Sequence, residues 1–126
     1  MPNVELANEM LEQLTERDAR YDTRAYLHVL AALQEVMDRL DRPRHISARE
    51  LTVEVGRLAI ERYGLLSRTV LEHWGIHATE DVGAIVFALV EAGLLVKQDE
   101  DRVEDFENVF DFEEKFESGY PWGAWN

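Results

Sequence analysis

Residues 47–112 read SARELTVEVGRLAIERYGLLSRTVLEHWGIHATEDVGAIVFALVEAGLLVKQDEDRVEDFENVFDF. The stretch opens with Ser47 and Glu50, a capping-box pair in which each side chain satisfies the backbone amide of the other residue. Leu51, Val55 and Leu58 then follow at helical spacing. We predict three closely spaced helices here, each ended by a glycine in the left-handed conformation: Gly64, Gly75 and Gly93.

The pattern changes after the third of these glycines. Residues 94–97 read as a short strand, 99–102 as a turn, and 103–112 as a return strand with Phe110 and Phe112 on one face. Three helices followed by a hairpin is the order of a winged helix. We therefore expect a mostly α fold of five short helices with a C-terminal β-hairpin, winged-helix-like. A generic helical domain with a small β-ribbon is the alternative.

Two more helices precede this stretch. An apolar stripe at helical spacing predicts a first helix from Val4 to Leu14, and a second stripe predicts a helix from Arg24 to Leu40, ended by Pro43. We expect a single mostly helical domain over residues 1–126. Its parts are the N-terminal helix and connection (1–22), the helical core (23–93), the hairpin (94–112) and an acidic, aromatic tail (113–126).

Composition narrows the function classes. The chain has 126 residues, no cysteine and a formal net charge of −13. Without cysteine, disulfides, thiolate metal sites and cysteine nucleophiles are excluded. The acidic balance disfavours nucleic acid and anionic membranes as partners. The N-terminus has neither a basic region nor an apolar run, so we expect a cytoplasmic protein with no membrane partner.

The third helix of residues 47–112 is a poor candidate for reading DNA. No Lys or Arg occurs between Arg68 and Lys97, and carboxylates facing phosphates repel them. We expect this surface to contact protein instead. The aromatic tail adds two tryptophans near the C-terminus, which should dock on their own domain or on a neighbour. The candidate interaction surface comprises Glu80, Asp81, Glu91, Phe106, Phe110, Tyr120, Trp122 and Trp125.

The sequence offers weak signals for catalysis or metal binding. His73 and His77 stand four apart, but Gly75 interrupts the helix that would place both imidazoles on one face. Residues 99–107 are rich in carboxylates and lack the glycine of an EF-hand loop. His45 and His28, the latter on the polar side of the second helix, read as structural. We predict no catalytic residues, no metal and no cofactor.

Several short sequence motifs support one resemblance. They are HISAREL at 45–51, VLEHWG at 70–75, TEDVGAIVF at 79–87, and DF and FDF at 105–106 and 110–112. They resemble a family of short conserved hypothetical bacterial proteins of planctomycetes and verrucomicrobia, over residues 21–116. The chain departs from the family pattern at Ala48, where glycine is frequent, and at Ala88, where asparagine is frequent. The resemblance implies one intact bacterial domain and assigns no activity.

The sequence is most consistent with a non-enzymatic protein-interaction or regulatory module that binds a protein partner or self-associates. Two alternatives stay open. One is a small enzyme that uses carboxylates with His45, His73 or His77. The other is a nucleic-acid-binding winged-helix regulator that uses arginines at the helix junctions: Arg17, Arg20, Arg24, Arg39, Arg42, Arg44 and Arg49.

Overall fold

The computed structural model describes residues 4–17, 19–95 and 102–118, and within these the protein is mostly helical. None of the helices in these ranges is long and apolar enough to cross a membrane. The α-helices are α1 (Val4–Arg17), α2 (Thr23–Asp38), α3 (Ala48–Tyr63), α4 (Ser67–His73) and α5 (Thr79–Glu91). Shorter helical turns are the 3-10 helices Gly64–Leu66 and Val103–Phe106 and the π-helical turn Glu114–Ser118.

The helix starts follow from local capping chemistry. Ser47 accepts a hydrogen bond from the amide of Glu50, and the carboxylate of Glu50 accepts one from the amide of Ser47, each at 3.1 Å. This confirms the predicted capping box of α3. Asp22 caps α2 by accepting from the amide of Arg24 at 2.9 Å. That carboxylate also accepts from the Arg24 guanidinium, and the two hydrogen bonds lower the pKa of Asp22 to about 2.

One hydrophobic core joins the five helices and the segment that follows them. The helices α2 and α3, which pack against each other, contribute buried residues such as Tyr26, Val29 and Val55. Helix α5 packs against both, and the later segment adds three buried phenylalanines: Phe106, Phe112 and Phe116. Burying apolar side chains against one another is the main source of stability in such a fold.

The predicted C-terminal β-hairpin is wrong, and so is the winged-helix-like arrangement that depends on it. The described residues contain no β-strand. Val103–Phe106 is a 3-10 helix, and Asn108 has a positive φ of 50°, which no strand residue adopts. The reason is tertiary. A Cβ at Gly83 of α5 would lie 2.8 Å from the Phe106 ring, so the bare helix surface there receives that ring.

The three glycines predicted to end helices have the expected positive φ, with values of 53° at Gly64, 100° at Gly75 and 81° at Gly93. Gly64 has a ψ of −121°, so its conformation is not the left-handed helical one. Gly75 also lies in a crowded place, because a Cβ built on it would stand 1.9 Å from the backbone oxygen of Arg20. This glycine therefore permits both the turn after α4 and the close approach of the α1–α2 connection.

That approach is fixed by two hydrogen bonds. The amide of Asp22 donates to the carbonyl of Trp74 at 3.0 Å. The hydroxyl of Tyr21 donates to the carboxylate of Asp81 at 2.5 Å, across 60 positions of sequence. Asp81 also accepts from the amides of His77 and Ala78 and so caps the start of α5. The α1–α2 connection is thereby held on the α4–α5 turn.

Candidate binding groove

A half-open groove lies where the end of α2, the connection 39–47, the start of α3 and the second half of α5 meet. Its volume is about 490 Å³, within the range of ligand pockets in proteins. Most of the walls are aliphatic, and Met37 on its edge is 48% exposed. The apolar lining residues are Leu33, Met37, Leu40, Pro43, Ile46, Ala48, Leu51, Val86, Val90, Leu95 and Phe106.

The charged residues of this groove come from the connection between α2 and α3. They are Asp41, Arg42 and Arg44, all exposed, and the exposed His45 also lines the groove. Arg44 is held in place by Glu50, with Nη1 3.0 Å from Oε1 and Nη2 2.8 Å from Oε2. The Arg44 guanidinium lowers the pKa of Glu50 to about 2, with a smaller contribution from the Ser47 amide. The groove thus has an apolar floor and a rim that carries both guanidinium and carboxylate groups.

A second groove of about 430 Å³ continues from the first. The two share Leu40 and Arg44. The second groove adds Val36 and Val53 to the apolar surface, and it adds Arg39 and Arg49 to the rim. Together the two grooves form a continuous surface along the last turns of α2, which we call the α2 groove.

A buried ion pair fastens α2 to α3 beneath this surface. The side chain of Glu54 is only 4% exposed, and it accepts hydrogen bonds from Arg39 at 2.5 Å and from Arg57 at 2.6 Å. Burial alone would raise the pKa of Glu54, but the hydrogen bonds from both guanidiniums outweigh burial and hold this pKa below its usual value. The carboxylate therefore stays charged in the core because two arginines reach it from solvent.

His28 lies in the core and not on the polar side of α2, where the sequence had placed it. It is 2% exposed. Its Nε2 lies 3.0 Å from the carbonyl oxygen of Val55, and its Nδ1 has no hydrogen-bond partner within the described residues. Burial lowers the pKa of His28 despite the hydrogen bond to Val55, and the charge of Arg62 lowers it further. The imidazole is thus a neutral donor that joins α2 to α3.

We expect the free energy of unfolding to fall as the pH drops below 6.5, the ordinary pKa of histidine. Because the folded pKa is the lower one, the unfolded chain binds more protons in this window, and stability rises with pH at up to about 1.4 kcal/mol per pH unit. His28→Gln keeps a donor for Val55 and cannot titrate. Urea unfolding at a series of pH values should show a weaker pH dependence for this variant. His73→Gln, at an exposed histidine, is the control, and equal pH dependence in the His28 variant and the wild type would contradict the assignment.

The acidic members of the predicted interaction surface lie apart from the α2 groove. Asp81 caps α5 and accepts from Tyr21. Glu80 is exposed and accepts from the amide of Asn108 at 3.3 Å and from the Thr79 hydroxyl. Glu91 is exposed at the end of α5. Two of the three carboxylates thus hold backbone in place.

The aromatic members of the predicted interaction surface also lie in different places. Phe106 is buried against α5, where its ring meets Phe87 edge to face, and it also lines the α2 groove. Phe110 is half-buried, and its ring centroid lies 5.7 Å from that of Phe112 and 5.7 Å from that of Phe116. The remaining members, Tyr120, Trp122 and Trp125, fall outside the described residues.

The residues considered for metal binding or catalysis are not brought together where the structure describes them. His73 ends α4 and His77 lies in the following turn, both exposed, while His45 is on the rim of the α2 groove. Within the described ranges no group of three or more His, Asp or Glu side chains is placed to hold a metal ion. The carboxylate-rich segment 99–107, considered for cation binding, falls partly outside these ranges.

The arginines of the alternative nucleic-acid interface belong to two separate places. Arg20 and Arg24 lie before and at the start of α2, whereas Arg39, Arg42, Arg44 and Arg49 lie beyond its other end. A helix of 16 residues is about 24 Å long. The sequence analysis treated these arginines as one set, but the length of α2 separates the two groups.

The sequence did not single out the α2 groove. It placed Met37 and Leu40 on the apolar stripe of the second helix. Met37 is on α2, but the helix ends at Asp38 and Leu40 lies in the connection that follows. A stripe cannot show whether another element covers its last turn. The signal that was present is the connection 39–47, with Pro43 and three arginines, which is slightly longer than the roughly 2–8 residues of most helix–helix connections. Comparisons with protein-family models, curated proteins and solved structures find no match for this chain.

Proposed function

We propose that this protein is a non-enzymatic interaction module that holds an apolar segment of a protein partner in the α2 groove. The observation that carries the proposal is the apolar floor at the end of α2, where the exposed Met37 and the half-buried Leu33 and Leu40 line a half-open cavity. Contiguous apolar surface open to solvent is typical of interaction sites. The fixed capping and ion-pair contacts around it keep this surface preformed.

Charge pairing disfavours the nucleic-acid alternative. Phosphate binding requires guanidinium groups that are free to displace condensed counterions. Here Arg24 pairs with Asp22, Arg39 and Arg57 pair with Glu54, and Arg44 pairs with Glu50. Most of the arginine charge near α2 is therefore already neutralised, in a protein whose net charge is −13.

The test compares three baits in affinity recovery from native lysate: the wild type, Met37→Asp and Leu65→Asp. Met37 lies in the groove, and Leu65 is a matched exposed apolar residue, 60% exposed, in the turn after α3. Both positions are open to solvent, so neither aspartate should unfold the protein. We expect a protein that is recovered with the wild type and with Leu65→Asp and is lost with Met37→Asp.

Two results would contradict the proposal. One is equal recovery of the same proteins by the wild type and by Met37→Asp, which would place the interaction elsewhere. The other is recovery of nucleic acid by the wild type that is insensitive to Met37→Asp and is lost at raised salt, which would favour the nucleic-acid alternative.

A further inference from the structure

We propose that the occupant of the α2 groove is an amphipathic helix of the partner protein whose flanks carry Asp and Glu. This inference rests on the proposed function and adds the chemistry and the shape of the ligand. The evidence for it is the shape of the groove and the charge on its rim. The net charge of the protein is negative and would not by itself predict an acidic ligand.

The form of the groove matches a helix. Leu33 and Met37 lie one turn apart on α2, about 6 Å along its axis, and Leu40 follows in the connection, two residues after the helix ends at Asp38. The second groove extends the surface past Leu40 towards Val53 of α3. A partner helix with apolar residues at i, i+3, i+4 and i+7 covers the same length with one face. A short ligand of a few atoms would leave most of this surface exposed.

The other common ways of binding a peptide are less suited to this site. An extended peptide adds itself to the edge of a sheet, and the described part of the chain has no β-strand. Proline-rich segments dock into grooves lined with several Tyr, Trp or Phe rings, and among the described lining residues Phe106 alone is of these types. A helix laid into an aliphatic groove is the mode that remains.

The charge of the rim selects acidic flanks. Arg42 and Arg49 lie on the rim, and no ion pair to a carboxylate is found for either of them within the described residues. The charges of Arg39 and Arg44 are neutralised by Glu54 and Glu50, and Asp41 adds one unpaired carboxylate, so Arg42 and Arg49 leave the described lining of the two grooves with a small net positive charge. Opposite charges placed around an apolar contact fix the register and exclude wrong partners. A helix with Asp or Glu beside its apolar face would meet these guanidiniums, and a helix with Lys would be repelled by them.

The experiment uses two labelled synthetic helical peptides with identical leucines at i, i+3, i+4 and i+7, one with Glu and one with Lys at the flanking positions. Fluorescence anisotropy measures binding near 0.15 M salt, where the Debye length is about 8 Å and the net charge of the protein is largely screened. We expect the Glu peptide to bind at least about tenfold more tightly than the Lys peptide. Met37→Asp should weaken this binding, and Leu65→Asp should not.

The charge-reversed variant Arg42→Glu/Arg49→Glu provides the decisive comparison. It leaves the apolar floor intact, so it should bind the Lys peptide more tightly than the Glu peptide. An unlabelled Glu peptide should displace the labelled one, and dodecanoate at equal concentration should not. Displacement by dodecanoate alone would identify a site for small amphipathic carboxylates and overturn the helix proposal.

The remaining outcomes separate this inference from the proposed function. Equal binding of both peptides, lost in Met37→Asp, would keep the groove as a docking site and overturn the assignment of acidic flanks. If neither peptide binds while a lysate protein is still recovered in a manner that depends on Met37, the helix proposal fails and the interaction module stands. If Met37→Asp changes nothing in either experiment, both fail.

Discussion

Gly75→Ala should destabilise the protein by about 3 kcal/mol or more, which is among the largest effects of a single substitution. Gly75 has a φ of 100°, a region that costs an L-residue about 1–2 kcal/mol. In addition, the new Cβ would stand 1.9 Å from the backbone oxygen of Arg20. The α1–α2 connection must therefore move away and give up the hydrogen bond from Asp22 to Trp74. Urea unfolding monitored by circular dichroism measures the loss.

Gly93→Ala is the matched control for this substitution. Gly93 has a φ of 81°, and no atom lies within 4 Å of a Cβ built on it. Gly93→Ala should therefore lower the free energy of unfolding only by the cost of a positive φ at an L-residue, about 1 kcal/mol. Equal losses in the two variants would show that the contact with Arg20 contributes nothing, and an unchanged midpoint for Gly75→Ala would refute the turn geometry.

Replacing both arginines of the buried ion pair, Arg39→Met/Arg57→Met, should also cost about 3 kcal/mol near neutral pH, because Glu54 would be left charged in the core without a partner. Methionine retains much of the apolar stem of arginine, so the loss reports the charge. The pKa of Glu54 should rise in this variant, and the destabilisation should shrink as the pH is lowered towards about 5. Chemical denaturation at the two pH values measures this.

A third substitution decides whether the uncompensated carboxylate is the cause. Adding Glu54→Met to the double variant removes the buried charge and should restore much of the lost stability. Arg49→Met, an exposed arginine on the same helix, should change stability by less than about 0.5 kcal/mol. A triple variant that is no more stable than the double variant would mean that the arginines act through packing and not through Glu54.

The helices were predictable because their signals are local. Ser47 and Glu50 form a capping box whose two hydrogen bonds depend only on residues three apart, and the structure has both. The glycine helix ends are equally local, since a positive φ is a property of one residue. The interior positions of α2 and α5 follow from the 3.6-residue period, although His28 shows that a polar residue can occupy the buried face when a backbone carbonyl is there to accept from it.

The segment after α5 was not predictable in the same way. The spacing of Phe106, Phe110 and Phe112 is compatible with a strand as well as with short helical turns. The conformation of this segment is decided by Gly83, whose missing side chain leaves room on α5 for the Phe106 ring. The two residues are more than twenty positions apart in sequence. Tertiary packing overrides the weak strand propensity of such a segment.

The α2 groove lay beyond sequence analysis for a related reason. An apolar residue at the end of a helical stripe reads as core, and Met37 is half exposed because no element within the described ranges covers that turn. The carboxylates Glu80 and Asp81 were assigned to an outward surface by their charge. Their hydrogen bonds to Asn108 and Tyr21 join residues that are far apart in sequence, and a local sequence pattern does not predict such contacts.

The contact of the α1–α2 connection with the α4–α5 turn bears on the lifetime of the native state. Tyr21 and Asp81 are 60 positions apart, so their hydrogen bond closes a long loop. Closing such a loop has an entropic cost that nearer contacts do not bear. We therefore expect this contact to form late in folding, after α2 and α3 have paired. Interactions that are absent from the transition state slow unfolding and leave the folding rate unchanged. On this expectation, the hydrogen bond of Tyr21 acts mainly by slowing the unfolding of the native chain.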